Sequence, residues 1–351
     1  MTQTSTPNKQ RYESIDIAKA FAIILVVIGH FRCTYMPHGY DTMIRVIYMF
    51  HMPLFMFASG FLYQATYRDQ PYRKFISGKF KRLMIPYFAV SILIICLKLA
   101  MKGVMPLDNP VTFMTFVEIL YLPSAGYFLW FIWALWWMMV IIPIFRTVLS
   151  RQILLAASLI LWFISPELPE IFCIKQFGQM LVFFSGGTVV ADYMRKNNIG
   201  SFSVGSQIIS VAVFIALAWA RISGFTDGAA PVISSIITLI INVVGIAMSM
   251  SLAFWWRRTA SDRLLRVSYS VAAYSYLIYL LHTTFEGLAK GVLSKIHWFD
   301  YQPQLLTAYI GTIAVICCGV IIPWWLGRYV LNRWSVTSLL FGVPLKKKII
   351  N

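Results

Sequence analysis

A lysine and a histidine, Lys19 and His30, sit inside the first strongly apolar stretch of the chain, in SIDIAKAFAIILVVIGHF. Eleven residues at 100° each return to nearly the same side of a helix, so both side chains project from one face, roughly 16 Å apart along the axis. Ionisable groups within a bilayer-spanning helix are expensive unless partnered or hydrated, which makes the pair a candidate functional site. The competing reading is a lysine that snorkels to the inner end and a histidine satisfied by a neighbouring helix. Asp16, three residues before Lys19, is spaced to pair with it.

Two further histidines fall at a similar depth, in the outer half of their helices: His51 in MFHMPLFMFASGF and His282 in YSYLIYLLHTTFE. His38 belongs to the external loop after the first span. Either each ring is bonded to a backbone carbonyl or the rings share a polar cavity. No HxxxH or HExxH pair occurs, so metal ligation is not expected. Ser275, Tyr279, His282 and Glu286 follow at i, i+4, i+7 and i+11, a polar stripe on an apolar helix. Glu286 is one turn from His282, the spacing at which a carboxylate fixes an imidazole tautomer, and Tyr279 is a candidate oxyanion donor. A stripe that only holds helices together is the alternative. Lys79, Lys81 and Arg82 close the inner end near Pro86 and Tyr87, and Trp130, Phe131 and Trp133 supply aromatic walls.

These residues must be positioned by membrane helices. The chain has 351 residues, 59% of them hydrophobic and only 12% charged, which excludes an ordinary soluble domain. Ten apolar segments are long enough or nearly so, at 15–34, 44–65, 83–101, 128–145, 152–165, 176–194, 207–221, 231–255, 269–289 and 305–327. The net charge of +17 suggests nucleic acid until it is mapped. With the N-terminus inside, 21 of the 30 lysines and arginines fall on the same side, so the charge reports topology and places both termini in the cytoplasm. No nucleic-acid partner is implied.

The expected fold is therefore an all-α polytopic integral membrane protein of about ten transmembrane helices. A cytoplasmic segment (1–14) precedes a membrane domain (15–330) and a basic cytoplasmic tail (331–351). The first apolar stretch carries charges and lacks a cleavage site, so it does not read as a signal peptide. The five cysteines, Cys33, Cys96, Cys173, Cys317 and Cys318, read as packing residues. The segment 111–122 is apolar but too short to span and reads as interfacial or re-entrant. The cationic loop ending at Pro86 suits anionic lipid headgroups or a nucleotide phosphate, although positive-inside loops generally look like this. Pro86 itself suits the first turn of the third span.

SIDIAKAFAIILVVIGH, FHMPLFMFASGF, KRLMIPY, YFLWFIWALWW with Pro143, and YSYLIYLLH, in this order and spacing, resemble membrane-bound acyltransferase family 3, the fucose 4-O-acetylase-like O-acyltransferases of bacteria. The resemblance covers roughly residues 11 to 330. A basic residue, ten residues and a histidine form the signature of the first helix, here Lys19 and His30, where the family more often has arginine first. The inner RxxR pattern is replaced by Lys79-Phe80-Lys81-Arg82. Many relatives add an extracytoplasmic esterase-like domain. This sequence has none, so the acceptor is expected to be handled by the membrane domain alone or with a separate partner.

The resemblance implies a multi-pass protein of the bacterial inner membrane. It implies transfer of an acyl group, usually acetyl, from cytoplasmic acyl-CoA to a hydroxyl of a cell-envelope or lipid-linked carbohydrate, with polysaccharide-biosynthesis proteins as possible partners. Under it, His30, His282 and Glu286 are the catalytic candidates, and Lys19, Lys79 and Arg82 the candidates for holding acyl-CoA. His51, Tyr279, Ser275 and Trp130 are the candidates for the acceptor. A glycan transporter or flippase, or an assembly partner in polysaccharide export, would use the same polar residues along a permeation path or an interface.

Overall fold

The computed structural model describes residues 12–32, 39–103, 111–197, 199, 202–298 and 304–345. His38, Cys33, the residues through Arg11 and the Lys346–Lys348 cluster lie outside the described residues. The helices are α1 (Glu13–His30), α2 (Tyr40–Tyr48), α3 (His51–Ala65), α4 (Tyr72–Ala100) and the four-residue α5 (Thr115–Glu118). They continue with α6 (Trp130–Ile141), α7 (Val148–Ile164), α8 (Ile174–Lys196), α9 (Val204–Ile222) and α10 (Pro231–Thr259). The last are α11 (Asp262–Lys295), α12 (Gln304–Tyr329) and α13 (Ser335–Phe341).

Among the described residues, eight helical stretches are long and apolar enough to cross a membrane. The protein is an all-α polytopic membrane protein, and each of the ten apolar segments expected from the sequence falls on a helix. α1 and α8 are the two outside the eight. α1 carries Glu13, Asp16 and Lys19, and α8 carries Gln176, Asp192 and Arg195. Apolar side chains such as Ile160, Ile208 and Trp219 point outward, whereas polar ones such as Ser91, Ser185, Thr188 and His282 are buried. Large apolar side chains on the outer surface suit a lipid solvent, around a core that is itself mainly apolar.

The expected loop before Pro86 is a helix instead. α4 starts at Tyr72, directly after Pro71, and runs 29 residues with Pro86 in its interior. Lysine, arginine and leucine in RKFISGKFKRL are good helix formers, and Pro71 supplies the start. The donor that Pro86 lacks disturbs the turn before it. There the Tyr276 hydroxyl of α11 donates to the Leu83 carbonyl at 2.9 Å. The second expected span is also split, because α2 ends at Tyr48 and α3 begins at His51. Segment 111–122 forms only the short α5 and turns, with Phe113, Met114, Val117 and Leu120 exposed, as expected for an interfacial piece.

α3 and α8 approach closely because each contributes a glycine at the contact. A side chain on Gly60 would overlap the Phe184 carbonyl, and one on Gly187 would overlap the Phe57 carbonyl. At one end, Tyr12 donates to Ala65 O at 3.4 Å and Arg257 Nε meets Glu13 Oε2 at 2.7 Å, which gathers the ends of α1, α3 and α10. The same end carries a buried polar lock. Arg151 of α7 grips Asp192 Oδ2 through NH2 at 2.6 Å and Nε at 2.8 Å. Gln64 of α3 donates to Asp192 Oδ1 at 2.7 Å, and Arg195 reaches that oxygen at 3.1 Å. Arg151 NH1 also donates to the Arg146 carbonyl at 2.7 Å, just before the start of α7.

Removing one member of such a pair leaves a buried charge uncompensated. Asp192→Ala is expected to cost about 3–5 kcal/mol, seen as a lower melting temperature in detergent. The double replacement Arg151→Met with Asp192→Leu should lose less than the two single changes together. An Asp192→Ala protein that melts with the wild type would remove this lock from the account of how α3, α7 and α8 are held.

Candidate active site

His30 is the last residue of α1, where the final carbonyls of a helix lack intrahelical donors. α2 supplies those donors. Tyr40 donates to Ile28 O and Tyr48 to Gly29 O, both at 2.7 Å. Gly29 is required for this, since a Cβ there would stand 2.7 Å from the Tyr48 ring. The chain leaves α1 at Phe31 in extended conformation, and the half-buried His30 ring is held among Tyr48, Phe128 and His282, at centroid separations of 6.5, 6.0 and 5.1 Å.

His282 is fully buried on α11. Its Nδ1 donates to the Tyr279 carbonyl at 2.7 Å, with Ile278 O at 3.2 Å. With the proton on Nδ1, Nε2 carries the lone pair, and that atom is buried without a hydrogen-bond partner. Thus the backbone of α11, and not Glu286, sets the tautomer. This corrects the expectation from the one-turn spacing: the carboxylate lies on the next turn, and the carbonyls one turn back are nearer to Nδ1. Glu286 is itself buried, and its Oε1 also lacks a partner. Gly319 of α12 makes room for it, since a Cβ there would lie 2.9 Å from Glu286 Cγ.

His51 opens α3 and spans the break in its helix. Its Nδ1 donates to Ile47 O at 2.8 Å, and its ring stacks on Tyr48 with centroids 5.1 Å apart and planes at 26°. The three histidines therefore form one contiguous group, with Tyr48 between His30 and His51. Of the alternatives from the sequence, His51 and His282 follow the carbonyl-bonded one, and the three rings meet in an aromatic nest, with none of them lining the cavity. His51 backs Tyr48; it does not wall the cavity described next.

A cavity of about 880 Å³ reaches from the basic end of the bundle toward this nest. Lys19, Lys81 and Arg82 line it, as do Phe55, Phe131, Ser275 and Tyr279. It has the size and aromatic lining of a small-molecule site. Tyr279 forms its far wall and is the bridge to the histidines, its ring centroid lying 6.1 Å from that of His282. The Tyr279 hydroxyl donates to the Phe128 carbonyl, so its proton is committed and the oxyanion role expected for it is not available in this arrangement. Ser275 donates to Ala272 O at 2.8 Å and offers its lone pairs to the cavity.

Of the expected residues, Lys19, Arg82, Ser275 and Tyr279 thus share the cavity, and His30, His51 and His282 share the nest behind Tyr279. Glu286 lies one turn beyond His282. Lys79 and Trp130 stand outside the cavity wall. Lys79 Nζ sits over the Phe75 ring at 5.2 Å, one turn back on the same helix, and Trp130 packs edge-on against Phe131 at 6.2 Å. Lys81 and Arg82 line the cavity, whereas Lys79, held over Phe75, does not. Tyr48, Tyr40, Phe128 and Gly319 were not singled out from the sequence. Tyr48 alone had a usable signal, since it lies one turn before His51. Among the described residues, no three His, Cys, Asp or Glu side chains are grouped as metal ligands.

The sequence matches the acyltransferase 3 family, described as an acyltransferase domain, over residues 12–326. It is 30% identical over 139 residues to the nodulation protein NolL of Mesorhizobium japonicum, covering 38% of this chain and 36% of that protein. It is 35% identical over 92 residues to NolL of Sinorhizobium fredii, covering 25% of each. These matches span about a third or less of the relatives' length. No solved structure matches significantly. With a family match that runs through every helix from α1 to α12 and takes in both Lys19 and His30, the chain belongs to the acyltransferase 3 family of membrane proteins.

Proposed function

We propose that the protein is a bacterial inner-membrane O-acyltransferase that moves an acyl group, in the simplest case acetyl, from cytoplasmic acyl-CoA to a hydroxyl of a cell-envelope or lipid-linked carbohydrate. The observation that carries this reading is the His30–His282 ring pair, 5.1 Å apart, one aromatic layer beyond a cavity whose opposite end holds Lys81 and Arg82. Cations at that end suit the phosphates of CoA, and the aromatic far wall suits a thioester arm. Lys19, on the same helix as His30, adds positive charge along the path.

The imidazoles supply a relay. His282 donates through Nδ1 to a carbonyl, so its Nε2 can accept a proton from His30 when the two rings face each other. A hydrogen bond in that direction leaves the other nitrogen of His30 with its lone pair, directed at an incoming hydroxyl. An unperturbed imidazole is mostly neutral near pH 7, with a pKa of about 6.5. As the acceptor oxygen forms its bond to the acyl carbon, its proton passes to His30. When the carbon–sulfur bond breaks, the departing thiolate takes that proton, and CoA-SH and an ester leave. The unsatisfied Glu286 oxygen one turn further on suits a second hydroxyl of the acceptor, which favours a polyol over a simple alcohol.

His30→Ala is expected to lower acyl transfer by about 10²–10⁴-fold, the range for loss of a general base, while expression and membrane insertion stay intact. Near wild-type turnover in that variant would remove His30 from the chemistry. A transporter with the same polar residues would instead move glycan without consuming acyl-CoA.

Lys19→Arg should keep most activity, because the demand is for positive charge, whereas Lys19→Ala should lose most of it. Equal loss in both would mean that the ammonium geometry itself is needed.

The basic end of the bundle is read as cytoplasmic and the histidine end as external. A cysteine in place of Lys295 should then react with an impermeant thiol reagent added outside intact cells, and one in place of Arg258 should not. The reverse pattern would overturn the opposed-face arrangement.

A further inference from the structure

The chain after α12 does not trail away from the bundle. Thr337 Oγ1 donates to Leu331 O at 2.7 Å, which ties α13 to the turn after α12, and α13 packs against α4. Gly342 then reverses the chain with φ +64°, a conformation that side-chain-bearing residues rarely adopt. The reversal is closed in both directions, since Val343 N donates to Ser338 O at 3.1 Å and Ser338 Oγ donates to Val343 O at 2.6 Å. Gly342 is wedged between two helices. A Cβ there would stand 2.6 Å from the Tyr276 ring of α11 and 3.2 Å from Pro86 of α4. Val343 is buried beside them.

This strap forms part of the cavity wall. Ser335, Ser338, Leu339 and residues 342–345 line the same space as Lys19, Lys81 and Arg82. It lies beyond residue 326, where the family match ends, and nothing in that match gives it a role. The cavity thus has two unlike sides: a cationic one from α1 and α4, and a largely apolar one from the strap, through Leu339, Val343 and Leu345. A ligand that fills it needs anionic groups for the first and an uncharged arm for the second.

We infer that residues 335–345 form the second wall of the donor site, so that an acyl-CoA binds between this strap and Lys81–Arg82 and covers the strap when bound. The inference rests on the acyl-CoA reading above and adds to it a binding element outside the family domain. Phosphates face the cations, and the uncharged pantetheine arm runs along Leu339 and Val343 toward Tyr279. Loss of the strap would leave the arm exposed on one side.

The test uses the full-length protein in detergent with acetyl-CoA as the probe, and equilibrium dialysis of labelled acetyl-CoA establishes binding first. Ser335→Cys places a thiol on the cavity wall, and Val336→Cys places one on the neighbouring exposed position that does not line it. Alkylation of each peptide is followed by mass spectrometry, so the native cysteines need not be removed. At acetyl-CoA about tenfold above its Kd, alkylation at 335 should slow by about tenfold, the fraction of sites left free. Alkylation at 336 should be unchanged. Leu339→Trp, which fills part of the cavity, should weaken acetyl-CoA binding by about tenfold or more, equivalent to 1.4 kcal/mol, without lowering the melting temperature. If acetyl-CoA binds but protects neither residue, or Leu339→Trp binds it as the wild type does, the strap is not part of the donor site while the acyl-CoA reading stands. If no acetyl-CoA binds to the wild type, the donor reading fails and the strap proposal falls with it.

Discussion

Hydrocarbon cannot hydrogen-bond to a carbonyl, so every break in a membrane-embedded helix has to be closed by a side chain of the protein itself. Tyrosine and histidine do this throughout the bundle. Tyr40 and Tyr48 close the end of α1, His51 the end of α2, Tyr276 the disturbed turn before Pro86, and Tyr279 the approach to α6 at Phe128. Tyr87 donates to both Ile119 O and Leu122 O, which pins the turns after α5 to α4. Each bond satisfies a polar backbone group, and those of Tyr48, His51, Tyr276 and Tyr279 also set the direction of a ring that lines or abuts the site.

The histidine nest follows from that constraint. His30 is at a helix end because α1 stops there, and the stop is stable because two tyrosines from α2 take over its last carbonyls. His282 has a defined tautomer because the carbonyl one turn back accepts from Nδ1. Its remaining nitrogen is buried with no hydrogen-bond partner in a ring 5.1 Å from that of His30, and a carboxylate oxygen of Glu286, one turn further on, is in the same condition. Buried polar atoms are nearly always satisfied, so two unsatisfied ones on successive turns of one helix are the feature on which the proposed acceptor site rests. The tight fit of Gly319 against Glu286 keeps the carboxylate from turning elsewhere for a donor.

The other end of the bundle is built on charge. The Arg151–Asp192–Gln64 lock ties α7, α8 and α3 together beside the basic end, and its cost in desolvation is offset by at least five hydrogen bonds, those of Arg151, Gln64 and Arg195 to Asp192 and that of Arg151 to the Arg146 carbonyl. With that frame fixed, α4 can carry Lys81 and Arg82 on a rigid helix and not on a loop. Under the proposed acyl-CoA reading, cations fixed on a helix would hold a phosphate at a defined distance from the aromatic wall, whereas a mobile loop would lose that register.

Hydropathy and charge alone determined the class of this protein, because a bilayer imposes a length and a sidedness that can be read one residue at a time. The apolar segments and the common level of His30, His51 and His282 were legible for that reason, and so was the shared face of Ser275, Tyr279, His282 and Glu286. What the sequence could not carry was the identity of hydrogen-bond partners across helices. Spacing along α11 pointed to Glu286 as the partner of His282, but the nearer backbone carbonyl won. Spacing also grouped Lys79 with Arg82, but only Arg82 lines the cavity, while Lys79 Nζ lies over the Phe75 ring. The stop of α1 at His30 and the reversal at Gly342 became visible only once Tyr40 and Tyr48 were seen to meet the first, and Tyr276 and Pro86 the second. Periodicity along one helix records which face a residue is on. Which donor reaches which carbonyl depends on the packing of several helices at once, and so belongs to the tertiary structure.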